Sequence, residues 1–108
     1  MTTSIKKISV GKDFSKVPAG RFYSDGPASG QAFREKFLVP ALQLGGTVVV
    51  SLDNTEGYGS SFLEEAFGGL IRVHGFGLAD LQQRLVIEAL EDPTLKEEVE
   101  SYIGQAIG

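Results

Sequence analysis

The strongest fold signal in the chain is a short run of mainly β-branched residues at positions 47–52, Thr-Val-Val-Val-Ser-Leu. Because apolar residues stand at successive positions, the run predicts a strand buried on both faces, as in a parallel sheet covered by helices. A glycine-rich loop at 53–59 follows, and then Leu63, Phe67 and Leu70 recur at helical spacing. A buried strand that leads through a loop into an amphipathic helix indicates an α/β domain.

The rest of the chain repeats this alternation of strands and helices. Strands are predicted at 5–10 and 84–90, with a short strand or edge at 21–23. Helices are predicted at 30–42 after an N-cap at Ser29, from Ser60 or Ser61 to 72, in a short turn at 78–83, and from Asp92-Pro93 to 106. Pro40 is expected to kink or end the first helix. The prediction is one α/β domain over 1–108, a mixed sheet of about four strands with about three main helices packed against it.

Composition narrows the classes of function. The chain of 108 residues has no cysteine and a single histidine, His74, which excludes disulfides, thiol catalysis and any site built from two imidazoles of one chain. We therefore expect no enzyme activity, no cofactor and no metal. The net charge of −4 argues against nucleic acid as the main partner. No apolar run reaches the roughly 18–20 residues of a membrane span, and the start is not a signal peptide, so a cytoplasmic location is expected. Composition leaves the oligomeric state open.

The negative charge is concentrated near the C-terminus. Positions 88–108 carry six acidic residues and one basic residue, a net charge of −5, whereas positions 1–87 have a net charge of +1. The simplest interpretation is a solvated helix face. The alternative is an acidic docking surface for a basic partner.

The segment most suited to function is the loop Gly57, Tyr58, Gly59, Ser60, Ser61 and Phe62, at the start of the second main helix. Ser61 and Glu64 have the spacing of a capping box, which predicts Ser61 as the N-cap and Ser60 just outside the helix. An exposed hydroxyl there is suited to phosphorylation, because a phosphate would meet the helix dipole and free amides. Two alternatives remain: the serines only cap the helix, or the loop amides hold an anion.

Other polar residues have simpler interpretations. His74 is expected to be a cation at the helix C-terminus beside a glycine cap, and no nucleophile elbow accompanies it. Asp53 and Glu56 favour turn formation over metal binding, since a third ligand is missing. Gly68-Gly69 lies inside the second main helix, where close packing on the sheet would explain it.

Two stretches of the sequence resemble a known family. Positions 55–70, Thr-Glu-Gly-Tyr-Gly-Ser-Ser-Phe-Leu-Glu-Glu-Ala-Phe-Gly-Gly-Leu, resemble the core motif of the STAS-like domains of unknown function (DUF4325). Positions 25–34, Asp-Gly-Pro-Ala-Ser-Gly-Gln-Ala-Phe-Arg, and 40–42, Pro-Ala-Leu, resemble that family's first conserved block. The resemblance covers about 21–72 and implies the fold of the bacterial anti-sigma-factor antagonists, a small sheet with helices packed against it.

The resemblance also implies a role for the serines. In the better-known antagonists a buried strand ends in an Asp-Ser-Ser-Gly turn, and a partner kinase of the GHKL ATPase type phosphorylates the first serine. By this resemblance Ser60 occupies the phosphorylated position and Ser61 follows it. Gly59 stands where the antagonists have aspartate, and Phe62 where they have glycine.

Two functional hypotheses follow. The first is a non-enzymatic interaction module of bacterial signalling that docks a protein, such as a GHKL-type ATPase, through the 54–62 loop and the following helix. In this hypothesis Tyr58 is an exposed anchor and Ser60 or Ser61 a phosphorylation switch. The second is a domain that binds a small ligand or nucleotide with the same loop. A purely structural subunit is a third interpretation.

Overall fold

A three-stranded parallel sheet forms the centre of the structure, a computed structural model that describes residues 4–106. Its strands are β1 (Ile5–Ser9), β2 (Thr47–Ser51) and β3 (Leu85–Glu88), and β2 lies between the other two. Ile8, Val50 and Ile87 are partners across the sheet. The prediction of a mixed sheet of four strands is therefore wrong for the described residues.

The strand expected at 21–23 is the one that does not form. A 3-10 turn, Tyr23–Asp25, occupies part of it. The Asp25 carboxylate accepts hydrogen bonds from the backbone N–H groups of Arg21 (3.0 Å) and Phe22 (2.9 Å). These local bonds use the donors that a sheet ladder would need, so a turn replaces the strand.

Four helices pack against the sheet. Helix α1 consists of Gly30–Phe33, a π-type turn at Arg34–Leu38, and Val39–Gln43. Helix α2 has the same three-part form, Ser60–Leu63, Glu64–Gly68 and Gly69–Arg72. Helix α3 is Leu78–Arg84 and α4 is Thr94–Gln105; a further π-type turn, Val10–Phe14, follows β1. The elements expected from periodicity are thus present, but α3 makes a fourth helix.

The signals at the ends of α1 gave one correct and one wrong prediction. Ser29 caps the helix, because its hydroxyl accepts a hydrogen bond from the N–H of Ala32 at 3.1 Å. Pro40 does not end the helix, which continues to Gln43 after the π-type turn at Arg34–Leu38. Pro40 is the second residue after the π-type turn, and proline is tolerated in the first turn of a helical segment because the donor it lacks is not needed there.

Only one face of the sheet is covered. Val48 and Val50 are fully buried, but Val49, which points to the other face, is half-buried. On β3, Ile87 is buried and Val86 is exposed. The expectation that β2 is buried on both faces is therefore wrong. Successive parallel strands joined by crossovers of the same hand place their connecting helices on the same face.

Gly69, the second of the paired glycines of α2, serves contact between helices. A Cβ on Gly69 would lie 2.2 Å from Nη1 of Arg34 on α1. A Cβ on Gly30, at the start of α1, would lie 2.4 Å from the carbonyl oxygen of Phe62. Gly69 therefore makes room for an arginine of a neighbouring helix, rather than for the sheet as the sequence suggested.

Between residues 4 and 106, no helix is both long enough and apolar enough to cross a bilayer.

Candidate functional site

The candidate site lies at the carboxyl edge of the sheet, where the segments after the three strands meet. Gly11, just after β1, contacts the loop after β2 so closely that a Cβ on it would lie 2.1 Å from the carbonyl oxygen of Asn54. Asn54 itself has a φ of 65°, in the left-handed region that asparagine tolerates. A larger residue than glycine at position 11 would push these two segments apart.

A reciprocal pair of carboxylates ties the loop after β2 to the loop after β3. Asp53 accepts hydrogen bonds from the backbone N–H groups of Leu90 (3.1 Å) and Glu91 (2.8 Å). Glu91 in turn accepts from the N–H of Asn54 at 3.0 Å. Asp53 is therefore a structural acceptor that joins two loops, a long-range role that differs from the local turn expected from the sequence.

Tyr58 fixes the middle of the loop. Its hydroxyl donates a hydrogen bond to the carbonyl oxygen of Leu52 at 2.8 Å, and its ring packs 5.7 Å from that of Phe62. Burial raises the pKa of the Tyr58 phenol above its ordinary value. The expectation of an exposed Tyr58 anchor is wrong, since the side chain is half-buried and its polar atom already has a partner.

The two serines are the exposed part of the loop. Helix α2 begins at Ser60, the preceding Gly59 is the N-cap, and neither Ser60 nor Ser61 is buried. The capping box predicted for Ser61 and Glu64 is absent, because no side chain caps this helix and Glu64 pairs with arginines instead. Both hydroxyls are therefore presented at a helix start whose first N–H groups lack a side-chain acceptor.

Phe62 is not available to a partner. Its side chain is fully buried, and its ring lies 6.0 Å from that of Phe33 and 6.3 Å from that of Phe14. Most of α2 beyond it is buried as well, from Glu65 to Leu70. The docking surface predicted for the loop and its following helix is thus reduced to Gly57, Gly59, Ser60 and Ser61, together with the few exposed positions of α2.

An acidic cavity of about 370 Å³ lies beside the loop. It is enclosed by the loop after β2 and by the beginning of α4. Its lining includes five acidic side chains and no lysine, arginine or histidine; the acids are Asp53, Glu56, Glu91, Asp92 and Glu98. The negative potential of such a lining repels an anionic ligand and attracts a cationic group.

Tyr102 connects α4 to this region. Its hydroxyl donates to a carboxylate oxygen of Glu98 at 2.7 Å, and this bond raises the pKa of the Tyr102 phenol. The side chain of Ser60 lies near the same phenol and acts against this rise of its pKa. Glu98, the partner of Tyr102, lines the acidic cavity, whereas Ser60 does not.

A second polar cluster holds α1 against α2. Arg34 and Glu65 are buried, and Nη1 of Arg34 donates to Oε2 of Glu65 at 2.6 Å and to its carbonyl oxygen at 2.7 Å. Arg21 pairs with both Glu64 and Glu65, and Arg72 pairs with Glu64 at 2.6 Å. The cluster is a structural clamp, because each of its charges has a partner of opposite sign.

The ion pairs of this clamp shift the pKa values of Glu64, Arg21 and Arg72. The hydrogen bond from Arg72, with a further one from Arg21, lowers the pKa of Glu64 although partial burial opposes this. The same bonds to Glu64 raise the pKa of both arginines. The Glu64 carboxylate therefore stays ionised to a lower pH than an unpaired glutamate does.

His74 lies at the end of α2 as expected, but it has an additional partner. Gly75, which has a φ of 73°, ends the helix. The N–H of Gly75 donates to the carbonyl oxygen of Ile71, and the N–H of Phe76 donates to the carbonyl oxygen of Leu70. Nε2 of His74 lies 2.6 Å from Oε2 of Glu35 on α1. Burial works against ionisation of Glu35, but hydrogen bonds from His74 and Arg34 outweigh it and lower the pKa of that carboxyl.

The described part of the chain holds no cluster of side chains suited to a metal ion. No three histidine, aspartate or glutamate side chains converge as ligands between residues 4 and 106. The structure places His74 in contact with α1 and not with the loop at Ser60.

Sequence reasoning missed the two features that hold the site in place. The Arg34–Glu65 pair and the Asp53 contacts join residues that are more than 30 positions apart. The Gly68-Gly69 pair was the one local sign of the first, and it was attributed to the sheet. The second has no local sign, because an aspartate after a strand also suits a simple turn.

Comparison with known families gives one match. The family model of the STAS-like domain of unknown function (DUF4325) matches residues 29–95, which include α1, the candidate loop, α2 and β3. No curated protein and no solved structure is similar enough to the chain to count as a match.

Proposed function

The chain belongs to the family of STAS-like domains of unknown function (DUF4325), and from its site we propose that it is a non-enzymatic docking module of bacterial signalling. The observation that carries the proposal is the exposed pair Ser60 and Ser61 on a loop whose other contacts are fixed. A rigid loop that presents two hydroxyls is suited to recognition, because little conformational entropy is lost when a partner binds it.

The proposed partner is a protein, with a GHKL-type ATPase or kinase as the specific candidate from the family resemblance. A cationic group of that partner would complement the acidic cavity beside the loop. The protein and its partner would meet in the cytoplasm, and Ser60 would be the modified residue, with Ser61 as the second candidate.

Phosphorylation would act through charge. A phosphate on Ser60 adds about −1.5 to −2 charges at neutral pH. The free N–H groups at the start of α2 favour that charge, whereas the carboxylates of the neighbouring cavity oppose it. The modification would therefore change the potential of the docking surface, and with it the affinity for the partner.

The proposal is tested by photocrosslinking in the bacterial cells that contain the protein. A photoreactive amino acid replaces Ser61 in one variant and Ser4 in the control. Ser4 is exposed at the opposite, amino edge of the sheet, where its carbonyl accepts from Thr47. We expect a discrete protein adduct from position 61 and none from position 4. No adduct at position 61, or the same adduct from both positions, contradicts docking through the loop.

The competing function, binding of a small ligand or nucleotide, is tested by thermal shift with nucleotides and inorganic phosphate. A ligand present at 100 times its dissociation constant would add about 2.7 kcal/mol to the free energy of unfolding. We expect no shift, because the acidic lining of the cavity repels anions. A saturable shift that Ser60→Glu abolishes would favour the competing function.

A further inference from the structure

The two edges of the sheet are protected to different degrees. On β1, the exposed side chains include Lys6 and Lys7. Charged residues, and lysine above all, are the usual means by which an edge strand is kept from pairing with another chain. The β3 edge has no lysine or proline: its sequence from position 85 is Leu-Val-Ile-Glu-Ala-Leu, with Val86 39% exposed and Leu90 85% exposed.

The hydrogen-bonding groups of β3 that point away from β2 can be identified. The carbonyl of Glu88 accepts from the N–H of Leu52, so Glu88 and, two residues before it, Val86 direct their backbone groups toward β2. The intervening residue Ile87 then directs its N–H and C=O outward, and so does Ala89. Leu85 has only its carbonyl free, because its N–H bonds to Leu81 at the end of α3.

Two cavities adjoin β3. One, of about 410 Å³, lies between α3, β3 and α4, and apolar side chains such as Leu81, Leu85 and Ile103 line it. The other, of about 380 Å³, lies between β3 and the start of α4, beside Leu90 and Pro93. Ile87 lines both cavities. Alternate side chains of an added strand would therefore find apolar space next to the edge.

The charge around this edge decides which occupant fits. Glu88 and Glu100 line the two cavities beside the edge, together with one base, Lys96, and positions 88–108 as a whole have a net charge of −5. A second copy paired through β3 would bring two such regions together, which like-charge repulsion opposes. A basic segment has the complementary charge.

We propose that the free edge of β3 is a docking site for an extended, basic segment of a partner protein, which adds to the sheet as a fourth strand. The carbonyl of Leu85, both backbone groups of Ile87 and the N–H of Ala89 bind its backbone. Its apolar side chains enter the cavities, and its lysines or arginines face the acidic C-terminal region. This surface is separate from the serine loop, so neither proposal depends on the other.

The test uses the full-length chain and immobilised libraries of seven-residue peptides. One library alternates lysine or arginine with varied apolar residues; a second has aspartate or glutamate at the charged positions. A third is the basic library with N-methylated amides on alternate residues, which preserves charge but prevents pairing. We expect the basic library to retain the protein at least about tenfold better than either other library, which equals about 1.4 kcal/mol. Equal retention by the methylated library, or none by the basic library, overturns the proposal.

A pair of valine variants tests the position. Val86→Lys places an exposed lysine on β3, as Lys6 and Lys7 are on β1, without altering the backbone groups that face β2. Val17→Lys makes the same change at another exposed valine, 57% exposed, outside the sheet. We expect a selected basic peptide to bind Val86→Lys about tenfold more weakly than Val17→Lys. This difference corresponds to the free energy of one or two hydrogen bonds. Equal weakening of both variants shows attraction by net charge alone and overturns the assignment to β3.

Amide exchange of the wild-type protein tests the proposed pairing without any substitution. In the free protein we expect faster exchange at Ile87 and Ala89 than at Val86 and Glu88, and slowing at Ile87 and Ala89 when the peptide is added. Binding that leaves both amides unprotected contradicts strand addition. A concentration-dependent dimer that itself protects them would replace the basic partner by a second copy, and so would also overturn the proposal.

Discussion

Replacement of glycine by alanine should have opposite effects at two helical positions of this chain. In a helix, alanine is favoured over glycine by about 0.8–1.0 kcal/mol. At Gly104, in the last turn of α4, a Cβ meets no atom within 4 Å, so Gly104→Ala should gain about 0.5–1 kcal/mol in the free energy of unfolding. At Gly69, a Cβ would lie 2.2 Å from Nη1 and 2.9 Å from Cζ of Arg34.

The cost at Gly69 is large because Arg34 has nowhere to move. Its side chain is only 2% exposed, and Nη1 donates at 2.7 Å to the carbonyl and at 2.6 Å to a carboxylate oxygen of Glu65. Overpacking costs about 1–3 kcal/mol, and each weakened bond to a charged group about 1.5–3 kcal/mol. With one such bond lost, and after the gain of about 0.8–1.0 kcal/mol from helix propensity, Gly69→Ala should lose about 2–5 kcal/mol, which lowers Tm by roughly 10–20 °C.

Urea unfolding followed by circular dichroism measures both variants, and unchanged m values would show that the comparison concerns the folded state. The result that refutes the reasoning is a Gly69→Ala variant as stable as the wild type or stabilised like Gly104→Ala. In that case α2 would not approach Arg34 as closely as the structure shows.

Three further predictions concern the clamp and the loop. Arg34→Met or Glu65→Leu alone should cost about 1.5–3 kcal/mol through the lost bond between two charged groups, because Glu65 keeps Arg21 and Arg34 keeps Glu35 as partners. The double variant should cost less than the sum; a double-mutant cycle in urea checks this, and additive losses contradict it. The folded-state pKa of Glu64 lies below the ordinary value of 4.5, so its contribution to stability is full above that pH and is lost as the pH falls through the lower folded value. Urea midpoints measured from about pH 6 to about pH 3 should therefore fall less steeply in Arg72→Gln than in the wild type. An unchanged slope contradicts the assignment of the pKa shift to Arg72. Tyr58→Phe should lower the free energy of unfolding by about 1 kcal/mol, because it removes the hydrogen bond to Leu52. In the wild type, an absorbance titration should show the Tyr58 phenol ionising above the ordinary tyrosine range, and a normal titration contradicts its half-buried position.

Local signals of the sequence predicted most of the elements. The β-branched run gave β2, the hydroxyl of Ser29 gave the start of α1, and Gly75 gave the end of α2. Each of these depends on residues within a few positions of one another. Helix α4 begins at Thr94, close to the start that Asp92-Pro93 predicted, because Asp92 accepts from the N–H of Thr94 at 3.2 Å.

Two wrong predictions concern side chains whose partners the local pattern does not show. Ser61 and Glu64 have the spacing of a capping box, but Glu64 is held by Arg21, 43 positions earlier, and by Arg72. Tyr58 is predicted to be an exposed anchor, but its hydroxyl bonds to the carbonyl of Leu52 and its ring packs on Phe62. Both partners of Tyr58 are close in the sequence, so this error concerns how the loop folds over the end of β2, whereas distant ionic partners explain the error at Glu64.

The covered face of the sheet is a property of topology. The apolar residues at 47–52 predict a strand that is buried on both faces. Whether helices also cover the second face depends on the hand and order of the crossovers. The strand order β1-β2-β3 places the helices on one side and leaves the β3 edge free. The candidate loop could be located from the sequence, whereas this edge could not.

The function proposed for the loop is tested most directly by calorimetry with the protein crosslinked through position 61, once that partner has been isolated. Ser60→Glu places a negative charge in the loop, and Ser4→Glu places the same charge at the opposite edge of the sheet. If the loop is the docking surface, Ser60→Glu should change the binding free energy by about 1–3 kcal/mol and Ser4→Glu should leave it unchanged. Equal affinities for the wild type and both variants would contradict docking through Ser60.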